Sequence, residues 1–586
     1  LQALRQPTQA DLLGLLAAFT TAKLATLLLV AWDGHLPSLP LSAALGLFAD
    51  DAFTAVVLWP VLIGARHLWS PLAPVLLLLF ASHAGANVAV TRVFFTPLTA
   101  AMLRASGTAL ADSVTPYLTP ANGAGVVAPV LAALSVMRFA SRPSTRLVLG
   151  LAALSLVFGA AGPALRATAP TLGLHHNALA LALRSELSLH HGSSTRLTAL
   201  PLPVEGEATD LSALSGAARG HNLLWVVLES TAAHALVPYG AARDAMPHVA
   251  QLAARGVVFD SVYAAYPESI KGLYALLCAR AVAPNTPVEA YTQSASPCMS
   301  IAARLREQGY HTALFHSGRF AYLGMQGVVE ERGFDMLADA AVIGGPHARS
   351  FGTDDAQTAD RALAWLDTLP PDAHFFLLVL PIAGHHPYHA PGTGPRPFHE
   401  STERDAYDND LFVADSAVAL LLEGLRKRGH ARDTLVAISG DHGEAFLEHA
   451  GNVAHSLFVY EENVHIPLLL AGDAVHTSQR ATQIASSIDI VPTLLDVLGV
   501  PPLPAADGIS ALRSVPAAAR FFADHATLRL GLRHGPWKFI YEPESERAQL
   551  FDLRVDPAER NDCSALQPWR SALYRRDLLT WARAGR

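Results

Sequence analysis

The segment Ile438-Ser439-Gly440-Asp441-His442-Gly443-Glu444 sets an Asp and a His side by side directly after an apolar run, Thr434-Leu435-Val436-Ala437. A carboxylate oxygen and an imidazole nitrogen lifted on a strand end suit a hard-to-borderline divalent ion such as Mn²⁺ or Zn²⁺. Gly440 and Gly443 are expected to let the backbone turn sharply and admit a substrate. The alternative is a plain turn in which Asp441 caps the next helix. A second carboxylate, Glu229, ends the apolar run Asn222-Leu223-Leu224-Trp225-Val226-Val227-Leu228. Such runs form strands buried on both faces of a parallel sheet, and ligands gather at the carboxyl ends of those strands. Glu229 is therefore expected at the same rim as Asp441. In Tyr266-Pro267-Glu268-Ser269-Ile270-Lys271-Gly272-Leu273 a serine opens a helix of small and apolar residues. There the positive end of the helix dipole, with a metal beside it, lowers the hydroxyl's pKa towards that of a nucleophile. The ordinary alternative for Ser269 is an N-cap.

In this order the pieces resemble the sulfatase branch of the alkaline phosphatase superfamily, above all its membrane-anchored lipoteichoic acid synthase and phosphoethanolamine transferase type. The resemblance runs over about residues 221–562 and rests on the combination, since each motif alone is weak. It implies that Glu229, Ser269, Asp441 and His442 bind one divalent metal, Mn²⁺ ahead of Zn²⁺, Mg²⁺ or Ca²⁺. It also implies substrate-side residues. His316, in Gly309-Tyr310-His311-Thr312-Ala313-Leu314-Phe315-His316, matches a substrate-binding histidine, with Arg319 a weaker candidate. Gly384-His385-His386-Pro387-Tyr388 looks like the family's His-x-Pro-aromatic motif and makes His385 a ligand of the transferred group or proton donor to the leaving oxygen. His455 matches the position that returns a cation to the anion, ahead of His449. Asp489 and Pro492 are helix-start signals with a structural role. The segments 535–541 and 549–559 resemble the small C-terminal sheet of true sulfatases, where Lys538 either reaches an anion or is a solvated hairpin residue.

One departure matters. Sulfatases that oxidise their nucleophile to formylglycine carry Cys/Ser-x-Pro/Ala-x-Arg, whereas Ser269-Ile270-Lys271-Gly272-Leu273 lacks both the Pro/Ala and the Arg. An unmodified serine fits phosphoryl transfer, because a phosphoserine can be discharged by a second alcohol or by water, while a sulfated serine has no hydrated aldehyde to expel its sulfate. Lys271 either replaces the missing Arg at the anion or lies on the helix surface. The expected activity is a ping-pong transfer of a phospholipid-derived head group, of phosphoglycerol or phosphoethanolamine type, through Ser269. The rival readings are a membrane-tethered sulfatase or phosphodiesterase using water, and a non-catalytic envelope binding protein. No Gly-x-Ser-x-Gly occurs, which argues against a classical serine hydrolase.

The remaining chain must position these groups. With 586 residues, 51% hydrophobic and 16% charged, it is too long for one domain and too apolar for a purely soluble one. The net charge of −8 comes with no basic block that would follow a phosphate backbone, so nucleic acid is not an expected partner. Apolar stretches at 11–31, 43–64, 72–91, 123–140 and 146–164 are each near the roughly 20 residues that cross a bilayer as a helix. Within the second, Asp50 and Asp51 either face the bundle interior or precede a helix that starts near Ala52. Arg5, Arg66, Arg138, Arg142 and Arg146 fall on one side of these spans, with Arg92 and Arg104 running against the bias. This predicts a cytoplasmic N-terminus and an extracytoplasmic catalytic domain on a bacterial-type inner or plasma membrane. The predicted partners are a membrane lipid as donor and an envelope glycan or lipid as acceptor.

A full-length first apolar segment followed by others argues against a cleaved signal peptide, and a start at Leu1 without Met suggests that the true N-terminus is missing. The predicted division is a transmembrane domain at 1–165 and a juxtamembrane helix and linker at 166–220. The juxtamembrane helix, Leu172 to Leu189 with Arg184 and Glu186, leads into Gly192-Ser193-Ser194-Thr195. The catalytic domain follows at 221–586, with a C-terminal subdomain from about 515. In it, strands alternating with helices predict an α/β fold with a mostly parallel sheet and a small C-terminal antiparallel sheet. Cys278 and Cys298 are placed to close a modest loop, leaving Cys563 over.

Overall fold

A computed structural model describes residues 8–94, 97, 118–139, 144–166, 169, 171–182, 202–203, 205, 208–286, 288–291, 297–346, 352–512 and 518–584. Arg5, Arg104, Arg142, Arg184, Glu186 and Gly192–Thr195 lie outside them. Five helical stretches, Ala10–Trp32, Leu41–Leu68, Leu72–Val93, Pro120–Phe139 and Thr145–Arg166, are long and apolar enough to span a membrane. The second is broken at Leu47 and Phe48, and the longer part, Ala49–Leu68, carries Asp50 and Asp51 in its first turn. Asp51 is buried beside Lys23, 3.3 Å away, and accepts from the Asn177 amide at 2.7 Å. Asp50 pairs with Arg166 at 3.2 Å. The helix therefore starts before Ala52, and its aspartates are neutralised inside the molecule, because an unpaired charge at this depth is expensive.

Ion pairs also fix which helix ends meet. Arg66 reaches Asp11 at one end of the bundle. At the other, Arg92 binds Asp33 with two 2.7 Å hydrogen bonds and reaches the Asn122 side chain. The arginine that opposes the charge bias is thus compensated on the catalytic-domain side.

The catalytic domain is organised by a nine-stranded sheet. In chain order its strands are β1 (Asn222–Leu228), β2 (Val257–Tyr263), β3 (His311–His316), β4 (Met336–Ala338), β5 (Phe375–Leu380) and β6 (Thr434–Gly440). After the short hairpin β7 (Ala445–Phe446) and β8 (Val453–Ala454) come β9 (His465–Ile466), β10 (Leu468–Ala471) and β11 (Gln479–Ser486). The order is β11-β2-β10-β6-β1-β5-β3-β4, with β9 also on β2. Only β9 and β10 run against the rest of this sheet. Every residue of β1, β5 and β6 is buried, as continuous apolar runs require at the centre of a sheet covered on both faces. Because β1, β2, β3, β5 and β6 are parallel, their carboxyl ends share one rim.

A second sheet, β12 (Ala518–Ala523), β13 (Arg529–His534), β14 (Trp537–Glu542) and β15 (Arg547–Asp552), is antiparallel in that order, followed by the helix Pro568–Ala584. Here Lys538 is no solvated hairpin residue. It is fully buried between Glu461, at 2.7 Å, and Glu559, at 3.2 Å. β9 and β10 are separated at Pro467, whose missing N–H cannot join a ladder.

The bundle packs directly on the catalytic domain. Val30 and Leu47 share one apolar cluster with Leu172, Leu174, Leu457, Phe458 and Phe521. Lys23 donates to the carbonyls of Leu174 and His176, and the His176 imidazole Nε2 hydrogen-bonds the Ala526 carbonyl at 2.8 Å. Cys278 and Cys298 are bonded across 20 residues. Closing a loop of that length restricts the unfolded chain, so the Cys278→Ser/Cys298→Ser double variant is expected to lose about 3 kcal/mol of unfolding free energy, read from urea midpoints of the full chain in detergent.

Candidate active site

The carboxyl ends of β1 and β6 bring Glu229, Asp441 and His442 together. One donor atom from each lies within 4.8 Å of the others, and all three residues are buried. Asp441 Oδ1 accepts the backbone N–H groups of Ser230, at 2.9 Å, and His442, at 2.7 Å, which fixes the carboxylate and leaves Oδ2 facing His442 Nε2 at 3.4 Å. His442 Nδ1 hydrogen-bonds the Gly443 carbonyl at 3.0 Å; the proton therefore sits on Nδ1 and the Nε2 lone pair points into the cluster.

Ser269 is the first residue of the helix Ser269–Cys278, and the N-cap is Glu268, whose carboxylate accepts from Ile270 and Lys271 N–H. The capping task thus falls on Glu268, and Ser269 Oγ is left for the site. It lies 3.2 and 3.3 Å from the Glu229 oxygens and 3.2 Å from His442 Nε2.

The cluster is short of positive charge: among the described residues, no Lys or Arg pairs with Glu229 or Asp441. Burial, with the Asp441 charge adding to it, pushes the Glu229 carboxyl up to about 8. Two buried carboxylates, an imidazole lone pair and a hydroxyl are a donor set that fits a divalent metal. Gly440 and Gly443 have a different role from the expected one. Neither has positive φ. A Cβ on Gly440 would meet the Thr231 carbonyl and Pro467, and one on Gly443 the Glu462 carbonyl and Ala232, so both glycines permit close backbone packing rather than a turn or substrate approach.

The other expected residues separate into two groups. His316, at the end of β3, is 4% exposed, and its Nδ1 hydrogen-bonds the Leu380 carbonyl at 3.2 Å; burial lowers its pKa to about 4. His385 follows β5, and its Nδ1 meets the His386 carbonyl at 2.6 Å; burial lowers its pKa too, and the charges of Glu444, His442 and Asp441 all act on it. His455 lies against His442 with ring centroids 4.0 Å apart and the planes tilted by 31°. His455 thus touches the cluster, His385 feels the charges of His442 and Asp441, and His316 feels that of His385, while Arg319 follows β3 beside Gly318, where any side chain would collide with His316 Nε2.

Lys271 does not lie on the helix surface. It is buried in an ion pair with Asp524, at 3.1 Å, and its ammonium sits over the Tyr266 ring. Removing one partner strands the other charge, so Asp524→Ala is expected to cost about 3 to 5 kcal/mol of stability in denaturant unfolding, whereas a lysine that only met substrate would leave stability unchanged. His449 is likewise committed, with Glu462 at 2.6 Å, the Glu559 carbonyl at 3.1 Å and Tyr460 stacked at 3.7 Å.

Sequence reasoning did not single out Glu444 or Tyr388. The Tyr388 hydroxyl donates to Glu444 Oε1 at 2.5 Å, and His455 Nδ1 meets Glu444 Oε2 at 2.7 Å. Both lay inside motifs already quoted, three residues after Asp441 and as the aromatic after Pro387. Asp524 had no sequence signal, because it comes from the end of β12, some 250 residues from its partner.

A serine at a helix start thus faces a buried carboxylate–histidine cluster on the carboxyl rim of a mostly parallel sheet. Residues 221–500 match the family model described as Sulfatase. Arylsulfatase K of Bos taurus is 28% identical over 176 residues, which are 26% of this chain and 32% of that protein. Arylsulfatase K of Mus musculus is 26% identical over 284 residues, 36% and 50% of the two chains. The chain thus spans about a third to a half of the length of the curated relatives it matches. The solved phosphonate monoester hydrolase of Agrobacterium radiobacter has the same fold, with a TM-score of 0.51, 17% identity and coverage of 62% of this chain and 96% of that one.

Proposed function

We propose that the chain is a membrane-anchored enzyme that transfers a phospholipid-derived head group to an envelope glycan or lipid through a covalent intermediate on Ser269. The observation that carries this reading is Ser269 itself. It is a serine with Oγ 3.2 Å from both Glu229 and His442, in a segment without the formylglycine pattern. Glu229, Asp441, His442 and Ser269 would hold one divalent metal, Mn²⁺ first by donor chemistry, which when bound stabilises the serine alkoxide and the charge of the transferred group.

The chain's own residues do the rest. Ser269 Oγ attacks the diester in line, the bond to the alcohol oxygen breaks, and a neighbouring histidine supplies the proton that oxygen needs. His316 and His385 face the transferred oxygens as hydrogen-bonding groups. An acceptor hydroxyl then discharges Ser269. Packing of the bundle against Leu457 and Phe458, two and three residues from His455, supports a donor presented at a membrane surface, and the helix-end charges support an extracytoplasmic catalytic domain on an inner or plasma membrane.

A second reading, a membrane-tethered sulfatase, is supported by the similarity to arylsulfatase K. Peptide mass spectrometry around Ser269, after incubation with membrane lipids and Mn²⁺, tests both. A phosphoryl-head-group mass on Ser269 is the expected result, and an aldehyde at position 269 moves the assignment to the sulfatase.

A further inference from the structure

Away from His442, one further group among the described residues brings metal-ligating atoms together: Asp50, His175 and His176, with one donor atom of each within 4.8 Å of the others. Asp50 stands in the first turn of Ala49–Leu68, and the two histidines lie in the juncture after the last membrane-length helix. A second carboxylate, Glu544, comes from the turn between β14 and β15 and places Oε1 3.3 Å from His175 Nε2.

The hydrogen bonds of the two rings fix where their lone pairs point. A carbonyl only accepts, so the 2.8 Å contact with Ala526 puts the His176 proton on Nε2. The neutral ring then turns its Nδ1 lone pair to Asp50 Oδ2, 3.9 Å away. On His175, Nδ1 is 2.7 Å from Thr171 Oγ1. His175 is 1% exposed, and its Nε2 has no hydrogen-bond partner among the described residues, although Glu544 Oε1 stands beside it. An N–H in that place would donate to the carboxylate, whereas a lone pair cannot. Thr171 therefore accepts from Nδ1, and Nε2 also offers a lone pair. Arg166 approaches from the other side: Nη1 donates to Asp50 Oδ1 at 3.2 Å and to the Gly46 carbonyl at 3.1 Å, and Nη2 is 4.0 Å from Glu544 Oε1. One guanidinium balances one of the two carboxylates. Two imidazole lone pairs and two carboxylates, with each ring held at its other nitrogen by a neutral acceptor, are the donor set of a tetrahedral Zn²⁺ site.

We propose that Asp50, His175, His176 and Glu544 bind a divalent ion of their own, Zn²⁺ by donor type, which pins the membrane bundle to the C-terminal sheet. With four protein ligands the site is structural, since none of its positions is left for a substrate. Glu544, whose side chain is 44% exposed, is the ligand on the solvent side, where the ion enters. The site shares no residue with the sheet rim and does not depend on the ester-transfer reading.

The test uses the full chain in detergent carrying Glu229→Gln and His442→Ala, which strip ligands from the rim, with Zn²⁺ or Co²⁺ alone as the probe. About one Zn²⁺ per chain is expected to stay bound through gel filtration, with X-ray absorption showing two imidazoles at about 2.0–2.1 Å. Co²⁺ in its place is expected to show the visible absorption of a four-coordinate ion. His175→Gln added to this chain is expected to weaken Zn²⁺ binding at least about 100-fold, because loss of an outer hydrogen-bond partner alone costs about 10- to 100-fold. Thr171→Val, which keeps every ligand and removes the group that aims His175, is expected to weaken it about tenfold. Zn²⁺ is expected to raise the thermal midpoint of the parent chain and not that of His175→Gln.

A parent chain that retains no Zn²⁺, or one whose bound Zn²⁺ has no imidazole ligand, overturns the proposal. So does binding that His175→Gln and Asp50→Asn both leave unchanged, which marks an adventitious surface ion. Where His175→Gln does not fold, the absorption spectrum of the parent chain and the Thr171→Val affinity decide. An unlabelled Ser269 removes the ester reading and moves none of these readouts.

Discussion

Ser269→Ala is expected to lower kcat by about 10⁴-fold or more, some 5.5 kcal/mol of transition-state stabilisation, and to abolish every covalent adduct at position 269. The size follows from where the oxygen sits. It is within 3.3 Å of Glu229 and His442, at the start of a helix capped by Glu268 and not by itself, so its removal deletes the attacking atom and little of the fold. Loss of the hydroxyl removes one of four metal-facing groups and leaves Glu229, Asp441 and His442 in place, so metal is expected to bind more weakly but still to fill the site at saturating Mn²⁺, and the thermal midpoint to move by no more than a few degrees. Single-turnover kinetics with mass detection give the check. A variant that retains turnover within tenfold would exclude Ser269 as nucleophile and direct attention to activated water. One that loses metal as well would mean that the hydroxyl is chiefly a ligand.

The fold was legible where one physical rule dominated. The runs ending at Leu228, Leu380 and Gly440 are buried on both faces and read directly as central parallel strands. The strands on the β11 flank of the sheet were harder: Val257–Tyr263 and Gln479–Ser486 carry polar residues at partly exposed positions and pass for irregular chain, and Leu468–Ala471 does not reveal that it runs antiparallel. At the site, the residues that follow central strands, Glu229, Asp441 and His442, could be set on one rim from sequence because strand direction decides it, whereas His316 came from the family resemblance. What sequence could not give was pairing across distant segments. Lys271 with Asp524, Lys538 with Glu461 and Glu559, and Asp51 with Lys23 each look like a free charge until the fold supplies the counter-charge. Buried charges are rare in isolation and common in pairs, so a lysine near a motif is weak evidence of anion binding until its partner is known.

The second large effect is expected from the carboxylate cluster. Glu229→Gln keeps the shape of the side chain but removes one of two negative charges that face a cation, and is expected to weaken divalent-metal binding more than about 100-fold and to lower kcat at sub-saturating Mn²⁺ by about 10³-fold. The same charges fix a pH signature of the metal-free protein. Burial and the Asp441 charge raise the folded-state pKa of Glu229 to about 8, from an unfolded value near the ordinary carboxylate range. A group whose pKa is raised on folding takes up a proton as the chain folds. Its contribution to stability is therefore complete below the unfolded pKa and is lost as pH rises through about 8, at up to about 1.4 kcal/mol per pH unit. A divalent ion displaces that proton and neutralises both carboxylates, so metal affinity is expected to rise across the same interval, and the stabilisation by Mn²⁺ to be larger at pH 8 than at pH 6. Thermal midpoints with Mn²⁺ and with chelator at the two pH values measure it directly. In Glu229→Gln the chelated protein is expected to lose this pH dependence, because the titrating group is gone and only Asp441 remains. A wild-type difference between Mn²⁺ and chelator that does not grow with pH would show that the buried carboxylates are not the metal's ligands.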